Sequence, residues 1–192
     1  PLRLVGSEMC IRDRIKSMDS KNGRCAVVLP QGVLFHSGKE GEIREQLVRS
    51  DKLEAVITLA SGVFYSTGVS ACILFLNNKK EHKHKGRICL IDGTEIYTPQ
   101  RAQNIISPDN VKTLYKLYTD YVDVIEKCKI VTIDDVEKGG FELSVKKYIE
   151  QKAKEAIPHE KVLLAYYEAL TKVRKSEEKM RKLLIEGGYV NE

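Results

Sequence analysis

Residues 53–76 read LEAVITLASGVFYSTGVSACILFL, and this stretch decides the fold. Its two ends, LEAVITL at 53–59 and VSACILFL at 69–76, are short apolar runs of the kind that form strands buried on both faces. Between them GVFYSTG, at 62–68, has a glycine at each end and the composition of a turn-rich loop. The sequence therefore predicts two buried strands joined by a loop.

A third strand and a helix are predicted upstream. Residues 24–29 read RCAVVL, and the turn residues PQG follow at 30–32. Residues 39–50 carry apolar side chains at helical spacing among charged ones: Ile43, Leu47 and Val48. This pattern predicts an amphipathic crossover helix. The order strand, helix, strand, loop, strand indicates an α/β fold whose first two strands are parallel.

A fourth strand and a long helix are predicted downstream. Residues 87–92 read RICLID, a further buried run, and Ser107 followed by Pro108 marks a helix start. The helix is predicted over residues 110–128, with an apolar stripe along one side. We expect its tyrosines to pack in the core: Tyr115, Tyr118 and Tyr121.

The last stretch, residues 159–186, predicts one long helix with a coiled-coil seam. Its apolar side chains alternate three and four apart, with one charged interruption. An isolated helix of this length is marginal in water, so it is expected to dock against another helix. That helix belongs either to a partner chain or to the predicted helix at 110–128. The seam consists of Leu163, Tyr166, Leu170, Val173, Glu177, Met180 and Leu184.

Composition and charge limit the function classes. The 192 residues are 42% apolar and 31% charged, as in ordinary globular proteins, and the net charge of +5 permits nucleic-acid binding without establishing it. No run of about 18 apolar residues exists, which excludes a membrane span, and no signal peptide is apparent. We therefore expect a cytoplasmic protein.

The five cysteines have no short pair spacing, which argues against a disulfide framework or a zinc site. Three of them lie inside apolar runs, where a thiol behaves as a small hydrophobic side chain: Cys25, Cys72 and Cys89. No metal is expected elsewhere either, because His82 and His84 lie among lysines whose like charge disfavours a cation.

The polar segment NNKKEHKHKGR, at residues 77–87, is interpreted as a solvated hairpin tip. The alternative is a contact with nucleic-acid phosphate, which lysines make readily. The side chains that would make this contact are Lys79, Lys80, Lys83 and Lys85.

Residues 1–14 show neither helical nor strand periodicity. The string VGSEMCIRDR, at 5–14, resembles a translated sequencing-adapter read, so we expect an artefactual leader and a gene truncated at its start. A natural disordered leader is the alternative.

Four segments together resemble one protein family. They are GRCAVVLPQGVLF at 23–35, IREQLVRSDKLEAVITLASGVFYSTGVSACILFLNN at 43–78, GRICLID at 86–92 and FELSVKKYI at 141–149. In order and spacing they resemble the second half of the modification subunit of type I restriction-modification systems. The resemblance covers about residues 23–150.

The resemblance implies an α/β fold: the C-terminal part of a Rossmann-like, S-adenosylmethionine-dependent methyltransferase sheet over residues 15–150, followed by a helical coiled-coil tail over 151–192. It implies methyl transfer from S-adenosylmethionine to adenine N6 in double-stranded DNA. The family's glycine-rich cofactor turn and its Asn-Pro-Pro-aromatic loop are missing, and both lie upstream in the family's order. We expect the chain alone to be inactive and to bind no cofactor.

The resemblance also assigns roles to single positions. Phe64 matches an aromatic residue that stacks on the flipped target base in related adenine methyltransferases. The alternative is that Phe64 is a core residue under the loop, with Tyr65 as its local rival. The expected wall of the site consists of Pro30, Gly32, Thr67 and Gly68.

The family's partners are the specificity and restriction subunits of the same system. The tail would pack against the specificity subunit through Tyr166, Leu170, Val173, Met180 and Leu184. In FELSVKKY, Phe141 and Glu142 replace the family's Tyr-Asn pair, so only docking by Leu143 and Tyr148 is expected there. The strand at 24–29 would lack its neighbour, leaving an open, aggregation-prone edge. Two other functions stay open: a non-catalytic helical adaptor and a fused restriction-methylation enzyme.

Overall fold

The computed structural model describes residues 7–64, 68–101, 103–149 and 159–189. The chain divides into two units, Pro1–Lys152 and Ala153–Glu192. The first unit contains all the strands described below, and the second contains one long helix.

The first unit is built on a mixed sheet. Its strands are β1 (Arg24–Pro30), β2 (Leu53–Leu59), β3 (Ala71–Asn77), β4 (Arg87–Gly93), β5 (Thr98–Pro99), β6 (Asn104–Ile105) and β7 (Cys128–Thr132). Five of them form a sheet in the order β1-β3-β2-β4-β7, and β5 pairs with β6 in a separate hairpin. β3 runs antiparallel to both of its neighbours, β2 and β4 are parallel, and β7 is antiparallel to β4.

The four predicted strands are confirmed to within two residues at each end. β1 and β2 run in the same direction, as predicted, but they are not paired, because β3 lies between them. Every residue of β2 is buried, since neighbouring strands cover both of its edges and helices cover both of its faces. Its largely apolar sequence, with Glu54 and Thr58 as the polar residues, reflects this central position.

Helices cover the two faces of the sheet. They are α1 (Ser7–Ser17), α2 (Lys39–Arg49), α3 (Pro108–Asp120), α4 (Ile133–Lys138) and α5 (Val145–Tyr148). On one face, α1, α2, α4 and α5 enclose an apolar cluster that includes Leu74 and Leu90. On the other face, Leu114 of α3 packs with Ile57 and Ile91. The first unit is therefore a three-layer α/β structure.

Two helix predictions are wrong in extent. The helix predicted over 110–128 ends at Asp120, because Tyr121 adopts a left-handed conformation and turns the chain toward β7. Tyr118 and Tyr121 pack against the sheet as predicted, whereas Tyr115 is exposed. The expectation of no regular structure before residue 15 is also wrong, because α1 spans Ser7–Ser17 and that boundary divides it between the buried Ile11 and the partly buried Ile15.

The second unit contains α6 (His159–Glu186), which confirms the predicted long helix. None of its described side chains is buried, so its apolar residues face solvent within this unit. Pairing of α6 in a coiled coil stays a prediction. In the described part of the chain, no helix is long and apolar enough to cross a bilayer.

Candidate functional site

The segments singled out by the sequence lie together where three strands of the sheet end. β1, β2 and β4 run in the same direction, so their carboxyl ends lie side by side at this end of the sheet. Pro30 is the last residue of β1, Gly32 lies in the turn that follows, and the loop after β2 contains Phe64. Loops at the carboxyl ends of parallel strands are the usual place for ligands in α/β sheets.

The turn after β1 is short and well anchored. A single turn of 3₁₀ helix, Gln31–Leu34, buries Val33 and Leu34, and the Gln31 N–H donates to the carbonyl of Ser70 at 2.9 Å. At Gly32 a Cβ atom would lie 2.6 Å from Cε1 of His36. A side chain at this position would displace the imidazole of His36, which is 58% exposed.

Arg44 of α2 ties this turn to a distant segment. Its Nη1 donates to the carbonyls of Val33 at 2.8 Å and His36 at 2.9 Å, and its Nε donates to the carbonyl of Phe141 at 2.6 Å. The residue is only 8% exposed, and burial lowers the pKa of its guanidinium. Arg44 therefore joins the turn after β1 to the segment around Phe141.

Phe64 lies at the rim of a cavity of about 330 Å³ at this end of the sheet. The phenylalanine is 43% exposed, so it is not the buried core residue of the alternative interpretation. Gly68 faces open space, and Tyr65 and Thr67 lie outside the described residues. The cavity is lined by Val28, Leu29, Pro30, Phe64, Val69, Ser70 and Ala71.

The hairpin β5–β6 holds the loop that leads to Phe64. The backbone N–H of Asn104 donates to the carbonyl of Gly62 at 3.0 Å, and its Nδ2 donates to the carbonyl of Ser61 at 2.8 Å. Gly62 has φ +68°, a conformation that favours glycine. Asn104 was not predicted as a functional residue, because the two-residue strand β6 is too short to show a periodic pattern in the sequence.

β1 is an edge strand. Among the described strands it pairs only with β3, so its other edge has no strand neighbour. Val28 and Pro30 of β1 are exposed, and both line the Phe64 cavity. The open edge and the cavity are therefore adjacent.

The lysine-rich segment lies at the opposite end of the strands. The distance is the length of one seven-residue strand, or roughly 20 Å. Lys79, Lys83 and Lys85 are exposed, but the side chain of Lys80 is only 2% exposed. Its ammonium donates to Asp51 at 2.6 Å and to the Arg87 carbonyl at 2.9 Å. Lys80 is thus already bound within the protein, which removes it from the candidate phosphate contacts and contradicts a fully solvated tip.

The buried carboxylate of Glu54 binds other side chains at this same end of the strands. Glu54 accepts hydrogen bonds from the Tyr118 hydroxyl at 2.7 Å and from Asn77 Nδ2 at 3.2 Å. Burial and the bond to Glu54 raise the pKa of Tyr118 to about 12. His84 is also buried and stacks on Tyr121 with 3.7 Å between ring centroids. These contacts secure α3 to the sheet, away from Phe64.

The buried thiols behave as the sequence predicted. Cys72 and Cys89 are fully buried in the two apolar clusters, and Cys25 is half-buried against the core. Burial raises the pKa of Cys72 to about 12, so this thiol is protonated at neutral pH.

The family model for N-6 DNA methylases matches residues 9–156. The chain belongs to this family. Near the end of the match, the Leu143 N–H donates to the Leu34 carbonyl at 2.8 Å, and the Tyr148 hydroxyl donates to the Glu142 carbonyl at 2.7 Å. Docking of the connection to the tail by these residues stays a prediction.

Several methylase subunits of type I restriction enzymes are relatives of this chain. The MjaVIII subunit of Methanocaldococcus jannaschii is 31% identical over 172 residues, which are 88% of this chain and 29% of that protein. The HindI subunit of Haemophilus influenzae is 31% identical over 138 residues, 68% of this chain and 31% of that protein. The chain thus spans less than a third of these relatives.

Solved structures of such subunits share the fold. A type I methyltransferase subunit from Streptococcus thermophilus superposes with a TM-score of 0.66 at 22% identity, over 71% of this chain and 28% of that one. The EcoKI M protein superposes with a TM-score of 0.55 at 19% identity, over 95% of this chain and 44% of that one.

Proposed function

We propose that this chain is the C-terminal part of the methylase domain of a type I modification subunit. In this proposal its Phe64 cavity receives the adenine that is flipped out of double-stranded DNA. The residues that bind the cofactor and act on the amino group belong to an upstream part of the same protein. The family match and the share of the relatives that the chain spans support this division.

The proposal rests on one observation: the Phe64 cavity lies beside the unpaired edge of strand β1. Val28 and Pro30 belong to both features. A strand of the upstream part that paired with β1 would bring the loop at its own end beside Phe64. A half-exposed aromatic ring over an apolar cavity suits a flat base, and such stacking contributes about 1–3 kcal/mol per base.

The described lining of the Phe64 cavity does not fit S-adenosylmethionine by itself. It is apolar except for Ser70 and backbone groups, and the lining residues that the structure describes include no carboxylate to bind a ribose or an ammonium. We therefore assign this chain the base-binding wall and assign the cofactor, S-adenosylmethionine, to the upstream part.

Helix α6 is proposed to dock on the DNA-specificity subunit as part of a coiled coil. Its exposed apolar side chains include Tyr166, Val173 and Met180, and a helix of this composition is stabilised by burial against another helix. The restriction subunit would join the same complex. One related solved structure concerns complex assembly of a type I system, with a TM-score of 0.61.

Reconstitution from two separately expressed parts tests whether both are needed for methyl transfer and which part binds the cofactor. The chain and a separately expressed upstream part are assayed alone and together, with the specificity subunit, for transfer of a tritiated methyl group to duplex DNA. We expect transfer only in the mixture, and no heat of S-adenosylmethionine binding for the chain alone. Tight cofactor binding by the chain alone would overturn the proposal, as would transfer without it.

A further inference from the structure

We propose that Asn104 is a positioning residue that sets the orientation of Phe64, an inference that rests on the proposed base-binding role of Phe64. Asn104 lies in a hairpin between β4 and α3, outside the segments that carried the family resemblance. It acts through the loop and not on the substrate.

Two hydrogen bonds join Asn104 to the loop. The Asn104 N–H and Nδ2 bind the carbonyls of Gly62 and Ser61 at 3.0 and 2.8 Å, so two consecutive peptide groups are held from one residue. These groups lie two and three positions before Phe64. Gly62 has φ +68° and, as a glycine, no Cβ that would restrict its backbone, so these two bonds help to fix the loop.

The hairpin is itself anchored to the core. Pro99 and Asn104 are partners in the β5–β6 ladder, and the Thr98 hydroxyl donates to Asn110 Oδ1 at 2.9 Å. Asn110 also closes the capping box of α3 with Ser107. Contacts therefore run without a break from the amino end of α3 through the hairpin to the Phe64 loop.

This arrangement affects catalysis rather than cofactor binding. A ring that stacks on a flipped base is effective only if its face is already oriented, and small misplacements of positioning groups cost about 10- to 100-fold in rate. The loss of the Asn104 clamp should lower the turnover number and leave the KM for S-adenosylmethionine unchanged, because this chain does not hold the cofactor.

The test uses the complete subunit assembled with its specificity subunit. Asn104→Asp keeps the size of the side chain, but a carboxylate cannot donate to the Ser61 carbonyl. We expect kcat for methyl transfer to fall about 10-fold or more. DNA with a mispaired target adenine should restore much of the loss, because a mispaired base is easier to extrude. Lower kcat without this rescue would overturn the proposal.

Asn78→Asp is the matched control. Asn78 Nδ2 donates to the Asp19 carbonyl at 2.7 Å, the same type of bond at the opposite end of the strands. This variant should keep wild-type kcat on both DNA substrates. If both variants lower kcat equally, the effect of Asn104 is a general loss of stability and the proposal is wrong.

Phe64→Ala, measured in parallel, separates the inference from the function on which it rests. If Phe64→Ala leaves kcat unchanged, the base-binding role itself fails. If Phe64→Ala lowers kcat and Asn104→Asp does not, only the positioning role fails. In the double variant, Asn104→Asp should add little to Phe64→Ala, because both act on one interaction.

Thr98→Val provides a second variant if Asn104→Asp lowers the melting temperature more than Asn78→Asp does. It removes the bond between the hairpin and Asn110 without touching the loop. A smaller fall in kcat with the same rescue by a mispaired target supports the proposal, and unchanged kcat contradicts it.

Discussion

Replacement of Arg44 by methionine should destabilise the first unit by about 3–5 kcal/mol. Methionine keeps the apolar stem but removes all the donors that bind three backbone carbonyls: those of Val33, His36 and Phe141. A buried acceptor left without a donor costs about 1–3 kcal/mol, and some of these carbonyls would regain water. The loss is therefore expected to be larger than for most single substitutions.

Arg49→Met is the matched control for Arg44→Met. Arg49 lies on the same helix, and the substitution removes the same charge. Its guanidinium forms ion pairs with Glu45 and Glu137 at 2.8 Å each, but the side chain is 51% exposed. Water and salt screen such pairs, so this substitution should have a far smaller effect.

Urea unfolding followed by circular dichroism measures both effects. The midpoint for Arg44→Met should fall sharply with little change in the slope, and Arg44→Lys should lie between it and the wild type because lysine cannot span three carbonyls. Equal losses for Arg44→Met and Arg49→Met would refute the reasoning, since buried and exposed guanidinium groups would then contribute alike.

Two further predictions concern the sheet. In Gly93→Ala the new Cβ would lie 2.5 Å from the Thr58 backbone oxygen, so strand β4 must shift, and thermal unfolding should show a loss of about 1–3 kcal/mol. Burial and Glu54 raise the pKa of Tyr118 to about 12. The contribution of its protonated hydroxyl to the free energy of unfolding is therefore complete below pH 10 and is lost as the pH rises through 12. Urea midpoints measured against pH should show this loss in the wild type but not in Tyr118→Phe; identical profiles would contradict it.

The local elements were largely predictable from the sequence, whereas their arrangement was not. Apolar runs gave β1, β2, β3 and β4 to within two residues, because burial on both faces leaves a direct mark on composition. The insertion of β3 between β1 and β2 depends on long-range pairing, which no local pattern encodes. β7, which reads CKIVT, is a five-residue edge strand that was not predicted, and only its first residue, Cys128, lay within the predicted helix.

In the candidate site, too, residues whose partners are distant in the sequence were not predicted. Phe64 came from the family resemblance, and its half-exposed position agrees with a role at a surface. Arg44 and Asn104 were missed because their partners lie up to 97 residues away in the sequence. Lys80 was misjudged for a similar reason: its partner Asp51 precedes it by 29 residues, so the lysine looked solvated.

The rate of methyl transfer by Phe64 variants of the complete subunit tests the central claim most directly. Phe64→Ala should lower kcat about 5- to 150-fold on paired DNA, from the loss of about 1–3 kcal/mol of stacking, whereas Phe64→Tyr should retain most activity. Phe35→Ala is the control, because Phe35 is similarly exposed but does not line the cavity. Wild-type kcat for Phe64→Ala, or an equal loss for Phe35→Ala, would contradict the assignment of this cavity to the flipped adenine.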